Sequence, residues 1–135
     1  MEAAREHEAD PNARAIRVVI ADDEPLFVDS VSALLSNDER VEVVGTASNG
    51  QDAVDLASAL DPDVTLMDIS MPVLDGIEAA RRIRLALPDA TILILTASSI
   101  AADVDRARQA GVAGFLTKDR IGTQLVNAIL EVADR

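Results

Sequence analysis

The feature that most constrains this chain is a strict alternation of two kinds of segment from residue 16 onward. "IRVVIA" (16–21), "VEVVGTAS" (41–48), "VTLMD" (64–68), "TILILT" (91–96) and "AGFLT" (113–117) are short aliphatic and β-branched runs. After each comes a stretch with helical spacing: "DEPLFVDSVSALLSN", "QDAVDLASAL", "GIEAARRIRLAL", "SSIAADVDRARQA" and "RIGTQLVNAILEVADR". The runs at 18–20, 64–67 and 92–95 do not alternate apolar with polar, as expected of strands covered on both faces. Strand and helix in strict alternation predict a parallel sheet with right-handed crossovers, an α/β three-layer sandwich.

The punctuation agrees with this reading. Asp23 is placed to cap the first helix, with Pro25 in its first turn. Asn49-Gly50 opens the second helix and Asp61-Pro62 stops it. Asp75 with Glu78 forms a capping-box start for the third, which Pro88 ends, and Gly111 closes the fourth. Residues 1–15, which include the lone His7, show no periodicity and are expected to be a disordered tail, leaving 16–135 as one domain. Aromatics are limited to Phe27 and Phe115, so the core must be aliphatic.

Several function classes are excluded at this point. No apolar run approaches the roughly 20 residues of a membrane span, and the charged N-terminus lacks a signal-peptide core, so a cytoplasmic location is expected. The absence of cysteine removes disulfides and thiolate metal sites. A formal net charge of −12 argues against direct binding to nucleic acid by this chain.

In a parallel sheet, ligands bind beyond the carboxyl ends of the strands. Here those ends carry Asp22-Asp23, Asp68, Thr96 and Lys118. Clustered carboxylates either raise a pKa or hold a cation, and with no cysteine or core histidine the cation is a hard one such as Mg²⁺. Metal, ammonium and hydroxyl are also what a transferring phosphoryl group needs. Asp68, on a central strand, is the candidate nucleophile, with Asp22 and Asp23 holding the metal. Plainer readings stand beside these: Asp68 as strand-end punctuation, Lys118 as a solvated charge, Thr96 as a strand-end cap, and Asp75-Gly76 as purely structural.

In these residues the chain resembles the receiver domain of two-component response regulators, of the NarL/FixJ-like subfamily. "IADDE" (20–24), "LMDISMPVLDG" (66–76), "LTAS" (95–98) and "GFLTK" (114–118) occur in the family's order and at similar spacing, and the resemblance covers about residues 16–134. It implies a flavodoxin-like, doubly wound five-stranded sheet in the order 2-1-3-4-5 with five helices. It further implies that Asp68 accepts a phosphoryl group from a sensor histidine kinase. Mg²⁺ would be held by Asp23 directly, by Asp22 largely through water, by Asp68, and by the backbone carbonyl of Ser70. Thr96 would be the switch hydroxyl, Lys118 the ion-pair partner and Phe115 the switch aromatic. The chain would catalyse only its own phosphorylation and dephosphorylation. Its output would be transcriptional, through a helix-turn-helix domain absent from this chain.

The chain departs from the family pattern in places. Asp119 follows the lysine where proline is frequent, which leaves the isomer of the Lys118-Asp119 peptide open. Phe115 replaces a frequent tyrosine, and the small Ser70 and Ser98 suggest easy access of water to an acyl phosphate. Alternatives are a stand-alone receiver, an interaction module independent of phosphorylation, and a flavodoxin-like electron carrier. A haloacid-dehalogenase-like phosphatase is a further one, but it would need an acid where Ser70 stands.

Two helices bear on signalling. The fourth offers the core only Ile100, Val104 and Ala107, so it is expected to shift readily. In the last helix Ile121, Leu125, Ala128, Ile129 and Val132 form one face. Val126, Leu130 and Ala133 widen it beyond the roughly 100° stripe that core contact needs. Those three are a candidate interface, for a homodimer through the C-terminal helix or for an output domain, unless they pack on the first helix.

Overall fold

The computed structural model describes residues 14–97 and 101–133. The expected tail therefore lies, up to residue 13, outside the described residues, as do Ser98 and Ile100.

Five strands, β1 (Ile16–Ala21), β2 (Val41–Ala47), β3 (Val64–Asp68), β4 (Ile92–Thr96) and β5 (Gly114–Thr117), form one parallel sheet in the order β2-β1-β3-β4-β5. The helices are α1 (Pro25–Ser36), α2 (Gly50–Leu60), α3 (Gly76–Ala86), α4 (Ala101–Gln109) and α5 (Ile121–Ala133), the last entered through a 3₁₀ turn at Lys118–Arg120. Alternating side chains of each strand feed two cores. Val64 and Leu66 of β3 and Leu93 and Leu95 of β4 meet Val31 and Leu35 of α1 and Leu125 and Ile129 of α5. Met67, Ile92 and Ile94 face the other way, onto Ala53 and Ala57 of α2, Ile77, Ala80 and Ile83 of α3, and Ala107 of α4. Both faces are covered, which is why β3 and β4 are buried at every position.

The two layers differ in how they are held. The α1/α5 layer contributes large aliphatic side chains, whereas among the described residues α4 contributes buried Ala107, half-buried Val104 and, just beyond its end, buried Ala110. Among the described residues, little apolar area therefore ties α4 to the sheet. In α5 the residues Ile121, Leu125, Ile129 and Val132 are buried as expected, and Ala128 is half-buried. Val126 and Ala133 also pack in part on the core beneath α1 and α5, so Leu130, half-buried, is the member of the trio least committed to it.

One capping expectation is overturned. The N-cap of α1 is Glu24, with no side-chain hydrogen bond, and not Asp23. Pro25 occupies the first helical position, so the cap falls on the residue just before it. Asn49 and Asp75 do cap α2 and α3, accepting hydrogen bonds from the N–H groups of Asp52 and Glu78 at 2.8 Å. No cis peptide occurs among the described residues, so the Lys118-Asp119 bond is trans.

The loop after β3 is held tightly. Val73 adopts φ +71°, and the N–H of Leu74 bonds the carbonyl of Pro72 at 2.8 Å, a γ-turn of the rare positive-φ hand. The N–H of Gly76 then returns to the carbonyl of Ile69 at 2.7 Å. A Cβ on Gly76 would lie 1.8 Å from the carbonyl oxygen of Asp68, so only glycine lets α3 start this close to the end of β3. Helix propensity alone predicts that Gly76→Ala gains about 1 kcal/mol. The contact predicts the opposite sign, a loss of about 2 kcal/mol or more, to be measured by urea denaturation.

Candidate functional site

Strand order reverses between β1 and β3, and the carboxyl ends of these strands open into a cavity of about 380 Å³. Asp23, Glu24, Asp68, Ser70, Thr96, Asp103 and Lys118 are among its lining residues. Asp22 and Asp68 end or follow the two central strands and are buried, as is Thr96 at the end of β4. Lys118 follows β5, one residue past Thr117, which is in register with Thr96. The sheet thus collects residues that are up to 96 apart in sequence.

Lys118 is the hub of the site. Its Nζ donates to Asp22 Oδ2 at 2.8 Å and to Glu24 Oε1 at 3.3 Å, and lies 3.4 Å from Asp68 Oδ1. The ammonium also sits 4.1 Å from the centroid of the Phe27 ring. Asp22 is engaged on both oxygens, since its Oδ1 accepts the N–H of Glu24 at 2.8 Å. Asp23, by contrast, is exposed at the rim. One carboxylate oxygen from each of Asp22, Asp23 and Asp68 lies within 4.8 Å of the others, an all-oxygen donor set of the kind that hard divalent cations take.

The electrostatics follow from this crowding. Burial pushes the Asp68 carboxyl up to about 6 from its ordinary 3.8, with the charge of Asp22, and to a smaller extent that of Asp23, adding to the rise and Lys118 opposing it. Burial pulls Lys118 down, but its hydrogen bond to Asp22 and the charge of Asp68 outweigh that, and the net shift is upward. The lysine stays charged, and Asp68 holds its proton more readily than an ordinary aspartate.

Six of the sequence-predicted site residues reach the same strand end: Asp22, Asp23, Asp68, Thr96 and Lys118, with Ser70 on the cavity wall. Phe115 does not line this cavity. It is half-buried on β5 beside α4, where it borders a cleft of about 230 Å³ together with Val104 and Ala107. Val126, Leu130 and Ala133 lie on α5, away from the cavity. Sequence reasoning missed Glu24 and Phe27 as neighbours of Lys118, and Asp103 on the wall. The first two share one face, three apart at a helix start, but nothing local says that this face meets Lys118.

A doubly wound parallel sheet with an acidic, lysine-bearing pocket at its switch point defines a class of signalling domain, and comparison with known proteins names it. Residues 18–130 match the response regulator receiver domain, and the chain belongs to this family. It is 40% identical over 125 residues to the probable transcriptional regulatory protein NarL of Mycobacterium tuberculosis, covering 93% of this chain and 58% of that protein. It is 37% identical over 117 residues to the transcriptional regulatory protein LnrK of Bacillus subtilis, covering 87% and 53%. The chain therefore spans about half the length of the curated relatives it matches. The solved signal receiver domain of the Mycobacterium tuberculosis NarL superposes with a TM-score of 0.86 at 40% identity, over 90% of this chain and 98% of that one. No helix among the described residues is long and apolar enough to cross a membrane.

The position of Asp68 makes a prediction about stability. Its folded pKa lies above its ordinary value, so its contribution to stability is fully present below about pH 4 and is lost as pH rises through about 6. In the metal-free protein Asp68→Asn removes this penalty. The variant is expected to match wild type near pH 4 and to exceed it by on the order of 2 kcal/mol at pH 7.5, read from denaturation curves across pH. Lower stability than wild type at pH 7.5 would mean that the attraction to Lys118 outweighs the burial of Asp68.

Proposed function

We propose that this receiver is phosphorylated on Asp68 by the phosphohistidine of a sensor histidine kinase. The observation that carries this reading is the juxtaposition of a buried acid, two further carboxylates and one ammonium in a cavity open to solvent. An Asp68 oxygen attacks phosphorus, the P–N bond breaks, the imidazole leaves, and an acyl phosphate forms. Mg²⁺, held by Asp22, Asp23, Asp68 and the carbonyl of Ser70, would neutralise charge on the phosphoryl oxygens. Asp23, the exposed acid, suits direct ligation, and Asp22, already bonded twice, suits ligation through water. Lys118 faces the new phosphoryl group from the β5 side, and the Thr96 hydroxyl donates to it from β4.

The switch follows from which groups have room to move. Thr96 drawn toward the phosphoryl group leaves space behind it, and Phe115 borders the cleft beneath the lightly anchored α4. A small change at Asp68 thereby selects a different placing of α4 and Phe115, and with it a different outer surface. Hydrolysis of the acyl phosphate ends the signal. By likeness to relatives that are transcriptional regulators, the output is transcription, exerted through a DNA-binding domain of the whole protein and not by this acidic domain. A haloacid-dehalogenase-like phosphatase is set aside by the family match, and Ser70 stands where that chemistry needs an acid.

For self-association we favour α5. Val126 and Ala133 keep part of their surface beside Leu130, which makes a small apolar ridge. Val126→Asp combined with Leu130→Asp is expected to reduce dimer formation at least several-fold in sedimentation runs. An unchanged association constant counts against this surface. For the central proposal, a small-molecule phosphodonor with Mg²⁺ is expected to add one phosphoryl group by intact mass. The adduct should be labile to hydroxylamine, absent when Mg²⁺ is chelated and absent in Asp68→Asn. Adduct formation that persists in Asp68→Asn would displace Asp68 as the acceptor, and no adduct with any donor would favour an interaction module.

A further inference from the structure

Lys118 is the sole lysine of a chain with 12 Lys and Arg residues, and its surroundings carry the phosphoacceptor reading one step further, resting on that reading. An ammonium has three N–H donors and no more. Those of Lys118 face Asp22 at 2.8 Å, Glu24 at 3.3 Å and Asp68 at 3.4 Å, while the Phe27 ring closes another side at 4.1 Å. A new anionic group on Asp68 must therefore draw on a donor already in use.

The partners differ in what their release costs. The Asp22 side chain is 1% exposed, and separating it from Lys118 would strand a buried charge. Asp68 is the reacting group itself. The Glu24 side chain is 66% exposed, so water replaces the ammonium there at little cost. Phe27 is half-buried against the α1/α5 core and does not follow solvent. Its ring attracts the cation without offering a lone pair, so it shields the ammonium from water and takes no N–H. Pro25 at the first helical position sets the turn that places Glu24 and Phe27 on one side of α1.

We propose that Glu24 and Phe27 form a resting cradle for Lys118. Glu24 is the carboxylate that the lysine gives up when a phosphoryl group arrives on Asp68, and the Phe27 ring keeps the ammonium over the acid cluster during the exchange. Both are positioning residues: they act on the phosphoryl group only through Lys118. Because Glu24 is bonded to Lys118 in the resting form and released in the phosphorylated one, it biases the domain toward rest.

The test uses the whole chain labelled in lysine, where Lys118 gives the one side-chain signal. In the metal-free wild type its ε-protons are expected upfield of those of a free lysine, from the ring current of Phe27. Phe27→Leu should abolish this shift and Phe27→Tyr should restore it. With Mg²⁺ present, beryllofluoride serves as the phosphoryl mimic. Glu24→Gln is expected to tighten its apparent Kd by about two- to five-fold. Phe27→Leu is expected to weaken it by about three- to ten-fold, and Phe27→Tyr to leave it within about two-fold of wild type. Unchanged or weaker affinity in Glu24→Gln overturns the releasable carboxylate. Failure of Phe27→Tyr to restore what Phe27→Leu loses overturns the role of the ring. If thermal melting shows Phe27→Leu to be unfolded, Glu24→Gln alone decides. A wild type that shows the upfield lysine signal but binds no beryllofluoride overturns the phosphoacceptor reading itself, and with it the exchange.

Discussion

Negative charge gathered at the ends of β1 and β3, with a single ammonium set among it, is the constraint on which the rest of this domain depends. Asp22 and Asp68 are almost wholly buried, and burying carboxylates close together is unfavourable unless a cation sits between them. Lys118 supplies that cation, and its stem reaches the cluster only because β5 ends directly beside β4. The compensation is partial, and burial first, then the charges of Asp22 and Asp23, leave Asp68 with a raised pKa. Anything that brings positive charge or removes negative charge at this point relieves the crowding of charge. The pocket is in this sense suited to a divalent cation.

The surrounding architecture divides the labour between rigidity and motion. One layer, α1 and α5, packs Val31, Leu35, Leu125 and Ile129 against the sheet and fixes the strand ends that carry the acids. The tight loop after β3, with Val73 at positive φ and Gly76 against the backbone of Asp68, holds the end of β3 from the other side. The opposite layer ends in α4, which rests mainly on alanines. An ion pair from Arg106 to the α3 cap Asp75, 3.3 Å long and exposed, adds a modest and salt-sensitive tie. A domain built this way can keep its site geometry while the α4 side repositions.

Much of the fold and most of the site were legible beforehand, for physical reasons that can be named. Aliphatic runs without polar alternation require a sheet covered on both faces, and "VTLMD" and "TILILT" are such runs. Their intervening helices require parallel pairing, and parallel pairing brings every strand's carboxyl end to one edge. Asp22, Asp23, Asp68, Thr96 and Lys118 could be placed together on that logic, while the order of the strands came through a resemblance to receiver domains. The cap of α1 was misplaced by one residue, because Asp23 is a better capping type than Glu24 while the position of Pro25 decides the matter. Glu24 and Phe27 went unnoticed because a common acid and a common apolar residue acquire meaning only from what faces them.

What the sequence determined by itself was the list of elements, their parallel arrangement and the chemical types at the strand ends, since these follow from local periodicity and connection rules. Only the tertiary structure decided the distances: that Lys118 is shared among three carboxylates, that a phenylalanine ring closes its cage, and that Val126 and Ala133 lean on the core beside α1. These depend on how strands distant in sequence come into register and on how helices settle against them, and no local pattern encodes that. A pKa raised to about 6 on Asp68 belongs to the same category, because it is the sum of burial and of charges that only the folded chain brings within reach.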